Sequence, residues 1–207
     1  MRLYTCYSPS HEKMYQDYFL PSLVDGEYDL VVKKLDQTCP TGEFETEGWN
    51  VCTRNKILLY KQAVKENWGR SFVWADVDLQ FFGPTKEILR QELGYYDLAA
   101  QSEYPHGKDF ELCAGLFIAK GNAHTMKLFQ TMLDCYEGER DDQSSMNRHR
   151  DIVKWKLLPD RFWCKNLSVT PPDNMLVHHA NWIRGVQNKL DALEDMKKRF
   201  GFRRNGV

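Results

Sequence analysis

The chain has 207 residues, 42% of them hydrophobic and 28% charged, with a formal net charge of −1. That length suits one α/β unit with an ample core, and the near-neutral balance gives no ground for a nucleic-acid partner or a membrane surface. No window approaches a membrane span and the N-terminus MRLYTCYSPS lacks the apolar core of a signal peptide, so a soluble, cytoplasmic, non-secreted protein is expected.

Elements alternate along the chain. Residues 2–7 (RLYTCY) read as a strand, and 8–24 as a helix with Ser8 at the N-cap and Pro9 at the first helical position. Residues 28–35 read as the next strand, followed by a polar loop over 36–48. A strong helix over 50–68 places Ile57, Tyr60, Val64 and Trp68 at helical spacing on one face, and Gly69 ends it. SFVWADVDLQFFGP (71–84) then begins as a buried strand and sets two carboxylates, Asp76 and Asp78, at its end. A short helix near 84–93 follows, then strands at 96–101 and 112–120, a helix from Asn122 to Gly138, and another opened by DDQSSMNRHR (141–150). Residues 174–185 (NMLVHHANWIRG) read as a last strand passing into a loop, and 186–200 as a terminal helix closed by Gly201.

Strand–helix alternation implies an α/β fold with a mainly parallel central sheet and helices on both faces. Ligands of such sheets sit beyond the carboxyl ends of the strands, where Asp76 and Asp78 fall. The six cysteines include no C-x-x-C pair. Free, mostly buried thiols are expected, and no structural zinc site.

In an extended segment Asp76 and Asp78 point to the same side. Two such carboxylates repel, and a divalent cation with hard oxygen ligands, Mg²⁺ or Mn²⁺, removes the conflict and links them to substrate phosphates. The plainer reading is a pair of turn-forming acids. In CAGLFIAKGN the small Ala114 and Gly115 let a sugar ring approach the backbone, or simply pack tightly. Asp141, Asp142 and Gln143 stand at a helix start. Capping explains an acid there but not the Gln. In HHANWIRGVQNK an imidazole can be a third metal ligand and Lys189 can hold a phosphate. Alternation turns His178 and His179 opposite ways, so at most one of them reaches the metal. The basic end (Lys197, Lys198, Arg199, Arg203, Arg204) is read as complementing a helix C-terminus.

Together WADVDLQFF, DDQSS and HANWIRGVQNK, with the following KKRFGF, resemble the metal-dependent nucleotide-diphospho-sugar glycosyltransferases of GT-A type. The nearest groups are retaining ones with a D-x-D, a later Asp-Asp-Gln and a C-terminal His–Asn–Trp–Gly–Lys element. The resemblance covers nearly the whole chain, in order. It implies one Rossmann-like GT-A domain over 1–207, with donor binding in roughly 1–120 and the acceptor side and metal closure in roughly 121–200. It also implies a UDP-sugar donor, a hexose of glucose or rhamnose type, a Mn²⁺ or Mg²⁺ cofactor and a glycan or glycoprotein acceptor.

Carried over residue by residue, Asp76, Asp78 and His179 would hold the metal and Lys189 would touch the diphosphate. Thr5, Cys6 and Tyr7 would contact the nucleoside, and Arg54 or Lys56 would face the donor. Val77, Ala114, Gly115 and Gly185 would line the donor pocket, and Asp141, Asp142 and Gln143 would sit at the reacting face. Two departures stand out: Cys113 replaces a residue that is often polar, and the His179-to-Lys189 interval is long. A narrower resemblance, to the N-terminal domain of a large virus-encoded transferase, would place the protein in a host cytoplasm, with further domains supplying acceptor contacts. Two other readings remain: a D-x-D phosphatase, which needs its acids on the first strand, and a non-catalytic sugar-nucleotide-binding scaffold.

Overall fold

The computed structural model describes residues 1–103, 111–137, 139–164 and 170–202. Strand β1 (Arg2–Tyr7) leads into a helical segment in which two short turns, α1 (Glu12–Met14) and α2 (Leu20–Ser22), flank a π-helical stretch at Tyr15–Phe19. The expected uniform helix is interrupted because Pro21 has no N–H to donate and its ring crowds the carbonyl one turn back. Then come β2 (Asp29–Lys34), α3 (Trp49–Glu66), β3 (Ser71–Ala75), β4 (Leu79–Phe81) and α4 (Lys86–Leu93). They are followed by β5 (Leu98–Ser102), β6 (Leu112–Lys120), α5 (Ala123–Asp134) and α6 (Asp142–His149). The short strands β7 (Trp155–Leu157), β8 (Phe162–Cys164) and β9 (Val177–His179) precede the terminal helix α7 (Val186–Phe200).

The main sheet has the order β2-β1-β3-β6-β5-β7. β1 runs parallel to β2 and β3, and β5 parallel to β7, while β6 is antiparallel to both of its neighbours. A second sheet, β4-β9-β8, was not anticipated: its strands are three residues each, too short to show periodicity.

One face of the main sheet packs against α3, α5 and α6 through Ile57, Tyr60, Val64, Phe72, Trp74, Phe117 and Phe129. The other carries Leu3, Phe19, Val73, Leu79, Leu89, Ile118 and Phe162. Trp68 departs from its expected place on the buried face of α3: it lies beyond the helix end and is 59% exposed. Asn122 caps α5 in a reciprocal capping box with Thr125. That helix ends at Asp134, and Gly138, its expected stop, lies outside the described residues, as do Arg203 and Arg204.

Candidate active site

β3 stops at Ala75, and the chain crosses from the main sheet to the second one through a turn, the Leu79 N–H donating to the Asp76 carbonyl at 3.3 Å. Asp76 and Asp78 therefore do not lie on a continuous strand, as their spacing suggested. The turn brings them together instead: their carboxylate oxygens and a nitrogen of His179 all lie within 4.8 Å of one another. Two backbone hydrogen bonds and a strand pairing fix this corner. The Asp76 N–H donates to the Gly115 carbonyl at 2.8 Å, the Ala180 N–H donates to the Asp78 carbonyl at 2.9 Å, and the β4–β9 ladder pairs Leu79 with His179.

Each acid is held from two sides. The Asp76 carboxylate accepts from Trp74 Nε1 at 2.9 Å and from Lys56 Nζ at 2.8 Å. Lys56 also reaches Asp142 Oδ2 at 3.0 Å. Asp78 meets Lys189 Nζ at 2.5 Å and His179 Nε2 at 3.2 Å. Burial alone would raise the Asp78 carboxyl, but Lys189 and His179 outweigh it and hold it well below the usual carboxylate range. At Lys56 burial works against the charge, yet Asp142 and Asp76 keep the ammonium well above its ordinary value. Asp142 moves the other way. Burial pushes its carboxyl up against the pull of Lys56, while Tyr60 donates to it at 2.5 Å.

These residues form the junction of a two-lobed cleft. One lobe is lined by Ala114, Gly115, Asp141, Asp142, Gln143 and His179, with Gly185 at its rim. The other is lined by Cys6, Tyr7, Ser8, Cys52, Thr53 and Val77. Lys56, Asp76, Asp78, Lys189 and His11 face both lobes.

Two of the residues singled out in the sequence are not brought here. Arg54 is exposed, because on α3 it lies about half a turn from Lys56 and faces solvent. Thr5 is buried two residues short of the carboxyl end of β1, on the face opposite Cys6; it lines neither lobe, and its hydroxyl has no partner among the described residues. Asp141 lines its lobe, but its carboxylate is engaged as the N-cap of α6, accepting from the Ser144 N–H at 2.7 Å and from Arg140. Gln143 accepts from the Ala114 N–H at 3.2 Å, which fixes its amide against the lobe floor.

Of the two causes the sequence suggested for Gly115, tight packing is the one its surroundings fit. A Cβ there would sit 2.2 Å from Cε1 of His179, so the glycine makes room for the imidazole. Gly185, at φ +86°, lets the chain turn left-handed into α7 and brings Lys189 over Asp78. His178 turns away, its Nδ1 3.1 Å from Gln80 Oε1.

Sequence reasoning missed several contributors. Gln101 donates its amide to the Phe162 carbonyl at 3.1 Å, which leaves Oε1 to face His179 Nδ1 at 2.9 Å. Gln101 thus keeps a proton on Nδ1, while Nε2–H donates to Asp78; a cation held at Nε2 would take that nitrogen's lone pair in place of its proton. A bulge between Ala100 and Gln101 aims this side chain. Tyr60 was recognised as a core residue only, His11 not at all. Trp182, left-handed at φ +60° and 51% exposed, stands at the rim of the first lobe.

The six-stranded sheet with β6 reversed, the acids at the carboxyl end of β3 and the His strand folded back beside them define the GT-A glycosyltransferase fold. No family model matches the chain, and no curated protein does. Solved structures do. A glycosyltransferase involved in glycosylating the major capsid of PBCV-1 superposes with a TM-score of 0.66 at 10% identity, covering 94% of this chain and 100% of the other. The glycosyltransferase GlyE of Streptococcus pneumoniae TIGR4 gives 0.59 at 14% identity over 99% of this chain, which spans 64% of GlyE. Mouse xyloside xylosyltransferase 1 gives 0.56 at 11% identity, over 87% and 97% of the two chains. At these identities the shared property is the fold. Among the described residues no helix is long and apolar enough to cross a membrane.

Proposed function

We propose that this protein is a metal-dependent glycosyltransferase that moves a hexose of glucose or rhamnose type from a UDP-sugar to a glycan or glycoprotein acceptor, with retention of configuration. The observation that carries the reading is the convergence of Asp76, Asp78 and His179 at the junction of two lobes, with two lysines beside them. Two carboxylates and one imidazole are a hard donor set suited to Mn²⁺ or Mg²⁺. When bound, the ion acts as a Lewis acid that neutralises charge on the departing diphosphate.

The chain's own residues do the rest. The Cys6–Tyr7 lobe takes the nucleoside and the Ala114–Gln143 lobe takes the sugar, so the diphosphate bridges them at the junction. Lys189 leaves Asp78 for a diphosphate oxygen when the donor enters. Lys56 stays clamped between Asp76 and Asp142 and holds both in place. As the anomeric C–O bond breaks, positive charge grows on the sugar ring, and the Asp142 carboxylate and Gln143 amide offer oxygens to it. Retention needs no protein base, since the leaving diphosphate oxygen accepts the acceptor's proton. The division into a donor part over roughly 1–120 and a closing part over roughly 121–200 follows, with Lys189 and His179 supplied from the second.

The test is a thermal-shift panel of nucleotides and UDP-sugars with and without Mn²⁺, followed by donor hydrolysis. A true donor in excess raises stability by about 2–4 kcal/mol, and EDTA removes both shift and turnover. Mn²⁺-independent turnover of a phosphomonoester, with no shift from any UDP-sugar, overturns the proposal in favour of a phosphatase. Donor binding without any hydrolysis or transfer overturns it in favour of a scaffold.

A further inference from the structure

The imidazole of His179 has two edges, and the one carrying Nδ1 faces a pair of thiols. Cys113 on β6, Cys164 on β8 and His179 on β9 are all buried. The two Sγ atoms are 4.0 Å apart and lie 3.5 and 3.9 Å from Nδ1. A tetrahedral cation with bonds of about 2.3 Å to sulfur and 2.0 Å to nitrogen spaces its ligands by about 3.8 Å (sulfur to sulfur) and about 3.6 Å (sulfur to nitrogen). The triangle present here comes within about 0.3 Å of those dimensions. A carboxylate lies next to it: Glu103 Oε2 is 3.9 Å from Cys164 Sγ and accepts from Asn181 Nδ2 at 3.0 Å, outside the triangle itself.

We propose that Cys113, Cys164 and Nδ1 of His179, with Glu103 turning in as the fourth ligand, form a second cation site that selects Zn²⁺ or a similarly thiophilic ion, back to back with the carboxylate site. Thiolates provide the selectivity, since Mg²⁺ and Mn²⁺ prefer oxygen. Three of the four ligands sit on paired strands, with Cys164 opposite His179 and Cys113 opposite Gln101 in the ladders, so the site is held by backbone. The expectation of no zinc site came from finger spacing along the chain. These ligands are instead assembled across both sheets.

Loading is an exchange of protons for the cation. The two S–H protons leave, and so does the Nδ1 proton that Gln101 Oε1 accepts in the empty site; Gln101 Oε1 gives up that place to the cation, while Nε2–H stays on Asp78. A neutral imidazole has one lone pair. A hard ion at Nε2 needs the proton on Nδ1, and a soft ion at Nδ1 needs it on Nε2. The two sites therefore exclude one another, and each ion weakens the other by the same factor. The sulfur site stands on its own geometry; only this competition rests on the metal site of the proposed function.

The experiment begins with reduced wild-type protein titrated with Co²⁺ in place of Zn²⁺. A sulfur-to-cobalt charge-transfer band is expected at one equivalent, kept in Asp78→Ala and in the exposed-thiol control Cys135→Ser, and lost in Cys164→Ser. X-ray absorption of the Zn²⁺-loaded wild type should show two sulfur ligands. Finding no sulfur ligand there overturns the site, whether or not the variants fold. Free Mn²⁺ is then followed by electron paramagnetic resonance. Zn²⁺ at ten times its dissociation constant should raise the apparent Mn²⁺ constant about elevenfold, and Cys164→Ser should abolish the effect. Competition that survives in Cys164→Ser places Zn²⁺ on the carboxylates and overturns the mutual exclusion. A wild type that shows the cobalt band but binds no Mn²⁺ keeps the sulfur site and refutes the carboxylate one.

Discussion

Gly115→Ala isolates the metal triad with one methyl group. Gly115 has an ordinary strand backbone, so alanine brings no conformational penalty there and would on its own add about 0.5–1 kcal/mol. The new Cβ would lie 2.2, 2.9 and 3.0 Å from three atoms of the His179 ring. Carbon contacts relax near 3.5 Å, so the ring must withdraw by about 1.3 Å. That movement breaks its 3.2 Å contact with Asp78 and its 2.9 Å hydrogen bond to Gln101. Overpacking of this kind costs about 1–3 kcal/mol, so the net loss of stability is about 0–2.5 kcal/mol and Tm falls by at most about 10 °C. Withdrawing a ligand weakens metal binding by at least the tenfold that disturbing its support would cause. Calorimetric titration with Mn²⁺ in the presence of UDP, beside a thermal melt, separates the two effects. A folded Gly115→Ala protein that binds Mn²⁺ as tightly as wild type would refute the placing of His179 in the metal site.

Asp78→Ala should abolish manganese-dependent UDP binding, read by the same titration; retained manganese-dependent affinity contradicts its role. Asp142→Ala should still bind donor but fail to transfer sugar, which a product assay beside a binding assay distinguishes from loss of the pocket. Lys56→Ala should weaken donor binding, since Asp76 and Asp142 lose the ammonium between them, whereas Arg54→Ala should leave it unchanged. Phe117→Ala removes a fully buried ring packed against Tyr60, Phe72, Trp74 and Phe129. It should cost about 3–5 kcal/mol in a denaturant melt and also loosen donor binding, since Tyr60 and Trp74, which donate to Asp142 and Asp76, lose a packing neighbour.

Long periodic elements were legible in the sequence: α3, β6 and α7 fall within a residue or two of where spacing placed them. The second sheet was not, because a three-residue strand such as Phe162–Cys164 has no period to read. That omission matters, since this sheet carries His179 to Asp78. The reversal of β6 was equally hidden: a run buried along nearly its whole length looks the same in either direction.

At the site, what was legible was whatever the chain places locally. Asp76 and Asp78 are two residues apart, and the first helical turn of α6 presents Asp142 and Gln143 together. Their supports are not local. Tyr60 reaches Asp142 from another helix, Gln101 reaches His179 from β5 through a bulge, and Gly115 is small because of a ring 64 positions later in the chain. A tyrosine in an apolar stripe or a glycine in a buried strand reads as packing until the partner is seen. The groups expected to carry the chemistry could thus be picked out from one stretch at a time. The groups that set a tautomer, a carboxylate's charge or a ring's position could not, because each owes its role to a contact made only after the two sheets meet.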